Sequence, residues 1–248
     1  MDFFVYKNDL NISFSSEEDL LAKLKKEYTR DGYTPDIQIK GNLVCVHIDE
    51  NKYEVLQQDF KQALDLCRNR EFQKAETLLK SIVKKNPYFV DGHRVLAQVR
   101  MDQGDYDDAI DKNIDALRID PTNLYALLLM GNIYVKMNRL SDADKFYDKA
   151  LQYHPENALA LNNIAGNYLQ REEYEKAIKI YEQLINVDDS YLNSYYGLAV
   201  SYYNCHRLND AFEIAVQGLE KGVSRPQDVR VREELYNFAL TLAKQMDS

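Results

Sequence analysis

The chain has no tryptophan, and only five prolines, nine glycines, four histidines and three cysteines among its 248 residues. So little proline and glycine excludes long disordered linkers and argues against a β-rich fold, whose many turns call for such residues. Cys45, Cys67 and Cys205 are odd in number, far apart and never in a CxxC pair. A disulfide framework is therefore not expected, and a reducing, cytoplasmic setting is. Positive charge is also in short supply: 31 Lys and Arg against 40 Asp and Glu leave a net charge of −9. That balance disfavours a nucleic-acid backbone as partner, which requires clustered Lys and Arg, and equally an anionic membrane surface. It suits a soluble protein kept apart from its neighbours by repulsion. No window approaches the run of about 18 apolar residues that a spanning helix needs. The opening "MDFFVYKNDLNISF" lacks the basic stretch and apolar run of a signal peptide, so no leader is expected.

Catalytic and ligand-binding signatures are missing too. His47, His93, His154 and His206 lie in different segments, with no HExxH, paired His/Cys spacing or EF-hand loop, so no metal site is expected. There is no GxxxxGK[ST], GxGxxG or GxSxG, and hence no expected phosphate cradle, dinucleotide site or nucleophile turn. Cys205 and His206 are adjacent, but neighbours on a helix point about 100° apart and do not face each other. Asp107 and Asp108 read as acidic residues favouring a helix N-terminus. The expectation is a protein with no catalytic residues and no cofactor.

What the chain does have is a period. In steps of 34 residues, one column reads Ala63, Ala97, Gly131, Ala165 and Ala199, and a second reads Ala75, Ala109, Ala143, Ala177 and Ala211. Bulky Leu96, Met130, Ile164 and Leu198 precede the first column. Phe72, Tyr106, Leu140, Tyr174 and Leu208 stand three before the second. Val83, Leu117, Leu151, Ile185 and Leu219 come late in each unit, and Pro87, Pro121 and Pro155 close the first three. Fixed self-similarity at this length marks a stacked-repeat architecture.

These columns resemble the tetratricopeptide repeat, most closely in "YALLLMGNIYVKMNRLSDADKFYDKALQYHPEN" and "LALNNIAGNYLQREEYEKAIKIYEQLINVDDS". The likeness covers five units over residues 56–223. The first unit departs from it at Asp59 and Gln62, and the second at His93, Arg100 and Asn113. The implied fold is mostly α, a right-handed α-solenoid of stacked helical hairpins. Each unit is two antiparallel helices, and small side chains at their crossing let the backbones approach. Bulky residues such as Ile164, Tyr168 and Tyr181 fill the space around. Leu161, Ile164 and Tyr168 recur at helical spacing. One hairpin cannot bury its apolar face alone, so neighbours share a continuous core.

The ends differ. "FFVYK" reads as a strand, and "SSEEDLLAKLKKEYTRDG" as a helix with Ser15 and Glu18 at capping-box spacing and Leu20, Leu21, Leu24 and Tyr28 as its stripe, ended by Gly32. "PDIQIKGNLVCVHID" reads as a hairpin turning at Gly41-Asn42. This β-α-β-β segment is expected to cover the open face of the first repeat. After residue 223, Pro226 suits a helix start. Val231, Leu235, Phe238 and Leu242 form a stripe, giving either a terminal solvating helix or the first helix of a sixth hairpin. The predicted domains are 1–55, a small β-α-β-β domain; 56–225, five repeats; and 226–248, a capping helix.

In proteins with this repeat the first helix of each unit lines a concave groove. The resemblance carries that role to Phe60, Leu64 and Arg68, then Arg94, Gln98 and Met101, then Leu128, Asn132 and Lys136. It continues with Asn162, Asn163 and Gln170, with Gly166 leaving a dent beside them, and ends with Tyr196, Val200, Tyr203 and Asn204. Asn and Gln both donate and accept, and so can hold an extended peptide backbone. Tyrosines give flat apolar contact with little entropy to lose. Arg68, Arg94 and Lys136 could attract a carboxylate or an acidic segment. The set of Lys, Asn and Arg by which chaperone-tail binders clamp a terminal carboxylate is incomplete; Lys136 and Asn163 are fragments of it. The expected function is a non-enzymatic scaffold that binds a protein or peptide in the groove. The alternatives are a self-assembling structural protein, which permits a homodimer, or a regulatory region of a larger enzyme.

Overall fold

The computed structural model describes residues 2–10, 12–29, 31–223 and 228–246. Pro226 and the predicted boundary at 225/226 lie outside the described residues. Helix dominates, arranged as hairpins in series, with one three-stranded sheet near the N-terminus. The chain forms two compact units, residues 1–139 and 140–248.

In the first unit, strand β1 (Asp2–Tyr6) is followed by helix α1 (Glu17–Tyr28) and by strands β2 (Asp36–Lys40) and β3 (Leu43–His47). The sheet order is β1-β3-β2, all antiparallel, with Phe4 opposite Cys45 and Ile37 opposite Val46. Alternation directs Ile37, Val44 and Val46 onto Leu20 and Leu24 of α1, which together form a small core. The helix cap lies one residue beyond the predicted pair. Ser16 Oγ accepts from Asp19 N at 3.1 Å, and Asp19 Oδ2 accepts from Ser15 N, the residue before the cap, at 2.9 Å, so Asp19 rather than Glu18 reaches back to the helix entry.

Five helices follow: α2 (Glu50–Arg68), α3 (Phe72–Lys85), α4 (Val90–Asp102), α5 (Tyr106–Ile119) and α6 (Leu124–Lys136). The sheet segment seats on the start of α2. Tyr33 Oη accepts from Asp49 N at 2.9 Å, Tyr33 packs edge-on to Tyr53 at 6.0 Å, and Tyr53 Oη donates to Asp31 Oδ2 at 2.9 Å. It packs on the first hairpin as expected, with Tyr33 in one core with Leu56 and Ile82, but leaves part of the outer face open. A shallow hollow of about 700 Å³ remains there, lined by Gln62, Leu66, Gln73, Thr77 and Leu78 among others. Of the two departures on α2, Gln62 is exposed on this face and Asp59 is half-buried.

The second unit holds α7 (Leu140–Tyr153), α8 (Ala158–Gln170), α9 (Tyr174–Val187), α10 (Leu192–Asn204), α11 (Leu208–Glu220) and α12 (Asp228–Met246). The pairs α8–α9 and α10–α11 close as hairpins, and α12 packs on α11 and α10. All ten residues of the two small columns are buried. Gly197 shows how tight such an approach is: a Cβ there would stand 2.2 Å from Cζ of Tyr181.

The turn within each hairpin repeats a backbone conformation rather than a residue type. Arg70, Gly104, Asn138, Glu172 and His206, again 34 apart, have φ of 61°, 83°, 57°, 61° and 59°. Each donates its N–H back to the carbonyl three before it, and the next residue donates to the carbonyl five before itself, as in Glu172 to Leu169 and Glu173 to Tyr168. This pair of bonds caps the first helix and is the Schellman arrangement. Four of the five residues adopt the left-handed region despite carrying a Cβ.

The unusual residues of the second repeat find partners across helices. Arg100 Nη2 reaches Glu76 of α3 at 2.5 Å and its Nε reaches Asp108 of α5 at 2.7 Å. His93 Nε2 lies 3.0 Å from the Pro87 carbonyl. Asn113, fully buried on α5, donates Nδ2 to the Ala126 carbonyl of α6 at 2.7 Å.

Tyrosines do much of the filling. Burial pushes the hydroxyls of Tyr168 and Tyr181 up to about 12. Burial, followed by a hydrogen bond to Glu182, does the same for Tyr202. These groups stay neutral in the folded chain where the unfolded chain ionises near pH 10. Their stabilisation is thus complete below about pH 10 and disappears as pH climbs through 12. The urea midpoint should fall steeply across that window; a midpoint that stays level from pH 10 to 12 would show that the fold does not hold these hydroxyls neutral. At the hairpin turns, Glu172→Gly should raise stability by about 0.5–1 kcal/mol, and Gly104→Ala should lower it by about 1 kcal/mol. Chemical denaturation reads both, and equal signs would contradict the turn geometry.

Candidate functional site

The first helices of successive hairpins lie side by side within each unit, α2 on α4 and α4 on α6 in one, α8 on α10 and α10 on α12 in the other. The residues predicted to bind lie on these layers, and the structure treats them unequally.

In the first unit, Arg94 is half-buried. Its Nε donates to Asp91 at 3.1 Å, and its guanidinium lies 5.5 Å from the ring centre of Tyr125, itself half exposed. Gln98 Nε2 donates to Asp102 at 2.8 Å. Asn132 is half-buried and Lys136 exposed. Leu128 is only 4% accessible, so it offers almost no surface, contrary to its predicted role. Phe60 is likewise engaged, edge-on to Phe89 at 4.7 Å.

In the second unit, Asn163, Gln170 and Asn204 are exposed and Asn162 half so. Residues 163, 166 and 170 share one face of α8 by helical spacing. Gly166 keeps that face low. A Cβ there would stand 3.8 Å from the hydroxyl of Tyr181, which rises from α9 behind it. The predicted dent therefore has a hydroxyl near its floor. Asn204 Nδ2 donates to the Val200 carbonyl at 2.8 Å, leaving its oxygen facing outward.

Tyr196 and Tyr203 are less free than expected. Both stand edge-on to Phe238 of α12, at 6.2 Å and 5.6 Å. The sequence showed Phe238 within an apolar stripe, but nothing in the stripe said that it would turn toward these two tyrosines. The closeness of the buried Tyr181 hydroxyl to Gly166 was also missed, because its column reads simply as bulky filling.

The most strongly perturbed titratable groups lie elsewhere, around Asp144. Burial works against charge on this carboxylate, but Arg171 at 2.7 Å and Lys176 at 2.8 Å donate to it and hold it below the usual carboxylate range. Glu173 bonds both cations, and the Arg171 guanidinium stacks 5.0 Å from the Tyr168 ring centre. Every charge here is matched by its opposite, which suits a structural clasp and gives no group poised to move a proton. Among the described residues no set of three or more His, Cys, Asp or Glu is placed to hold a metal ion, and no helix is long and apolar enough to cross a membrane.

Three profiles of the tetratricopeptide repeat match residues 60–123, 101–160 and 160–193, together more than half of the chain. Human general transcription factor 3C polypeptide 3 is 22% identical over 173 residues, 67% of this chain and 20% of its own length. This chain therefore spans about a fifth of that relative. PilF of Pseudomonas aeruginosa has a similar structure, with a TM-score of 0.59 at 18% identity over 79% of this chain and 92% of its own. YrrB, a repeat protein described by its unusual peptide-binding site, gives a TM-score of 0.52 at 15% identity over 75% of this chain and 90% of its own. Repeat period, buried small columns, hairpin series and profile matches agree, and the chain belongs to the tetratricopeptide repeat family.

Proposed function

We propose that the protein is a non-enzymatic scaffold that binds an extended peptide segment of a partner protein along the α8–α10 face of its second unit. The observation that carries this reading is the cluster of amides there: Asn163, Gln170 and Asn204 in solvent and Asn162 at its edge, around the low point at Gly166. Amide side chains meet both the N–H and the C=O of a peptide backbone, and they do so without regard to its side chains. Tyr196 and Tyr203, held in place by Phe238, form an aromatic wall already ordered before a ligand arrives. In the first unit, Arg94 over Tyr125, with Gln98, Asn132 and Lys136, is a second patch of similar composition that brings positive charge to an acidic chain. The peptide binding named for YrrB favours the same class of ligand.

The same reading keeps a β-α-β-β domain at 1–55, repeats at 56–225 and a terminal capping helix at 226–248. It places the protein in the cytoplasm, in keeping with three free cysteines. The test is selection of binders from a displayed peptide library, followed by titration against Asn163→Ala/Gln170→Ala/Asn204→Ala. These side chains are exposed, so helicity should be unchanged while affinity falls about tenfold or more. Selected peptides that bind the triple variant as well as the parent would remove this face from consideration.

A further inference from the structure

The last helix carries two stripes. Val231, Leu235, Ala239 and Leu242 are buried toward the rest of the second unit. On the other side Val229 and Tyr236 are 62% and 55% accessible, and Leu240 continues the line. These outer positions have a counterpart two repeats earlier. Leu161, Ala165 and Tyr168, 68 residues before Val229, Glu233 and Tyr236, are the residues that α8 hides. Thus, among the described residues, α12 leaves open the face that α8 covers. Beside it, Leu219, Val223, Val229, Arg232, Glu233 and Tyr236 border a shallow hollow of about 390 Å³ whose exposed surface is mostly apolar.

Glu233 determines what can fill this face. It stands in the column that holds Ala or Gly in all five repeats, so a helix folding back in hairpin fashion would meet a carboxylate at the crossing. Burying that charge without a cation would be strongly unfavourable. Glu233 has no ion-pair partner among the described residues. Its neighbour Arg232, on the rim of the same hollow, uses one nitrogen to donate to the Lys221 carbonyl at 2.7 Å and has donors left over. Adjacent opposite charges within one apolar stripe are self-complementary under a two-fold rotation.

We propose that this surface binds a second copy of the chain, with two α12 helices antiparallel about an axis near Arg232 and Glu233. Each Glu233 then meets the other copy's Arg232, and each Tyr236 enters the hollow formed by Leu219, Val223 and Val229 opposite. This interface is separate from the peptide-binding face and does not depend on it. A single helix face of 19 residues, about 28 Å long, buries less than a standard interface, so the dimer is weak and dissociates within the micromolar range.

Sedimentation equilibrium of the full chain across that range tests it. The parent should pass from monomer to dimer as concentration rises, and added salt should shift the curve toward monomer. Glu233→Arg and Tyr236→Glu, both at exposed positions, should each weaken association about tenfold or more while helicity and melting of the dilute protein stay unchanged. Arg232→Glu alone should also be monomeric. An equimolar mixture of Glu233→Arg and Arg232→Glu chains should recover the dimer, because the two altered stripes complement each other. A parent that stays monomeric throughout, association that survives these substitutions, or a mixture that fails to associate would each overturn the proposal.

Discussion

Two helices can lie close together only where neither presents a large side chain at the crossing, and the chain meets that condition at one pair of positions in every repeat. Everything else is arranged around it. Because Ala165 and Ala177 are small, Tyr168 and Tyr181 have the surrounding space to fill. Because Gly197 has no Cβ, the Tyr181 ring can rest on the backbone of the following hairpin. The close approach also fixes which surfaces remain for function. It turns one side of each first helix inward and leaves the other side, with Asn163, Gln170 and Asn204, at solvent.

Polar groups within this frame serve two distinct purposes. The cluster of Asp144, Arg171, Glu173 and Lys176 satisfies its charges internally and fastens α7 to the α8–α9 turn. On α8 and α10 the amides of Asn163 and Gln170 face solvent, and Asn204 uses its Nδ2 on the Val200 carbonyl. Strongly shifted ionisation marks the first kind of group and not the second.

The repeat, its small columns and the order of elements at the N-terminus were legible because each rests on local spacing. Leu128 was misjudged because family position says which way a side chain points and nothing about how much lies over it. The engagement of Tyr196 and Tyr203 by Phe238 depends on residues 35 to 42 positions apart meeting across α10 and α12, which no periodic pattern encodes. The left-handed turn escaped notice for another reason. Arg70, Gly104, Asn138, Glu172 and His206 share a conformation but no chemistry, since backbone bonds alone define it. Departures from the family pattern were visible, but their meaning was not. Arg100 and Asn113 proved to be cross-helix fasteners.

Asn113 also bears on how the stack assembles. Apolar packing between α5 and α6 tolerates sliding, since one aliphatic contact nearly replaces another. A completely buried amide bonded to a single carbonyl, that of Ala126, does not. Any shifted alignment of these two helices would strand Asn113 Nδ2 in a dry interior beside an Oδ1 that already has no protein partner. This one polar side chain thus acts as an alignment key, penalising a misregistered packing of neighbouring helices that apolar contacts alone would scarcely distinguish.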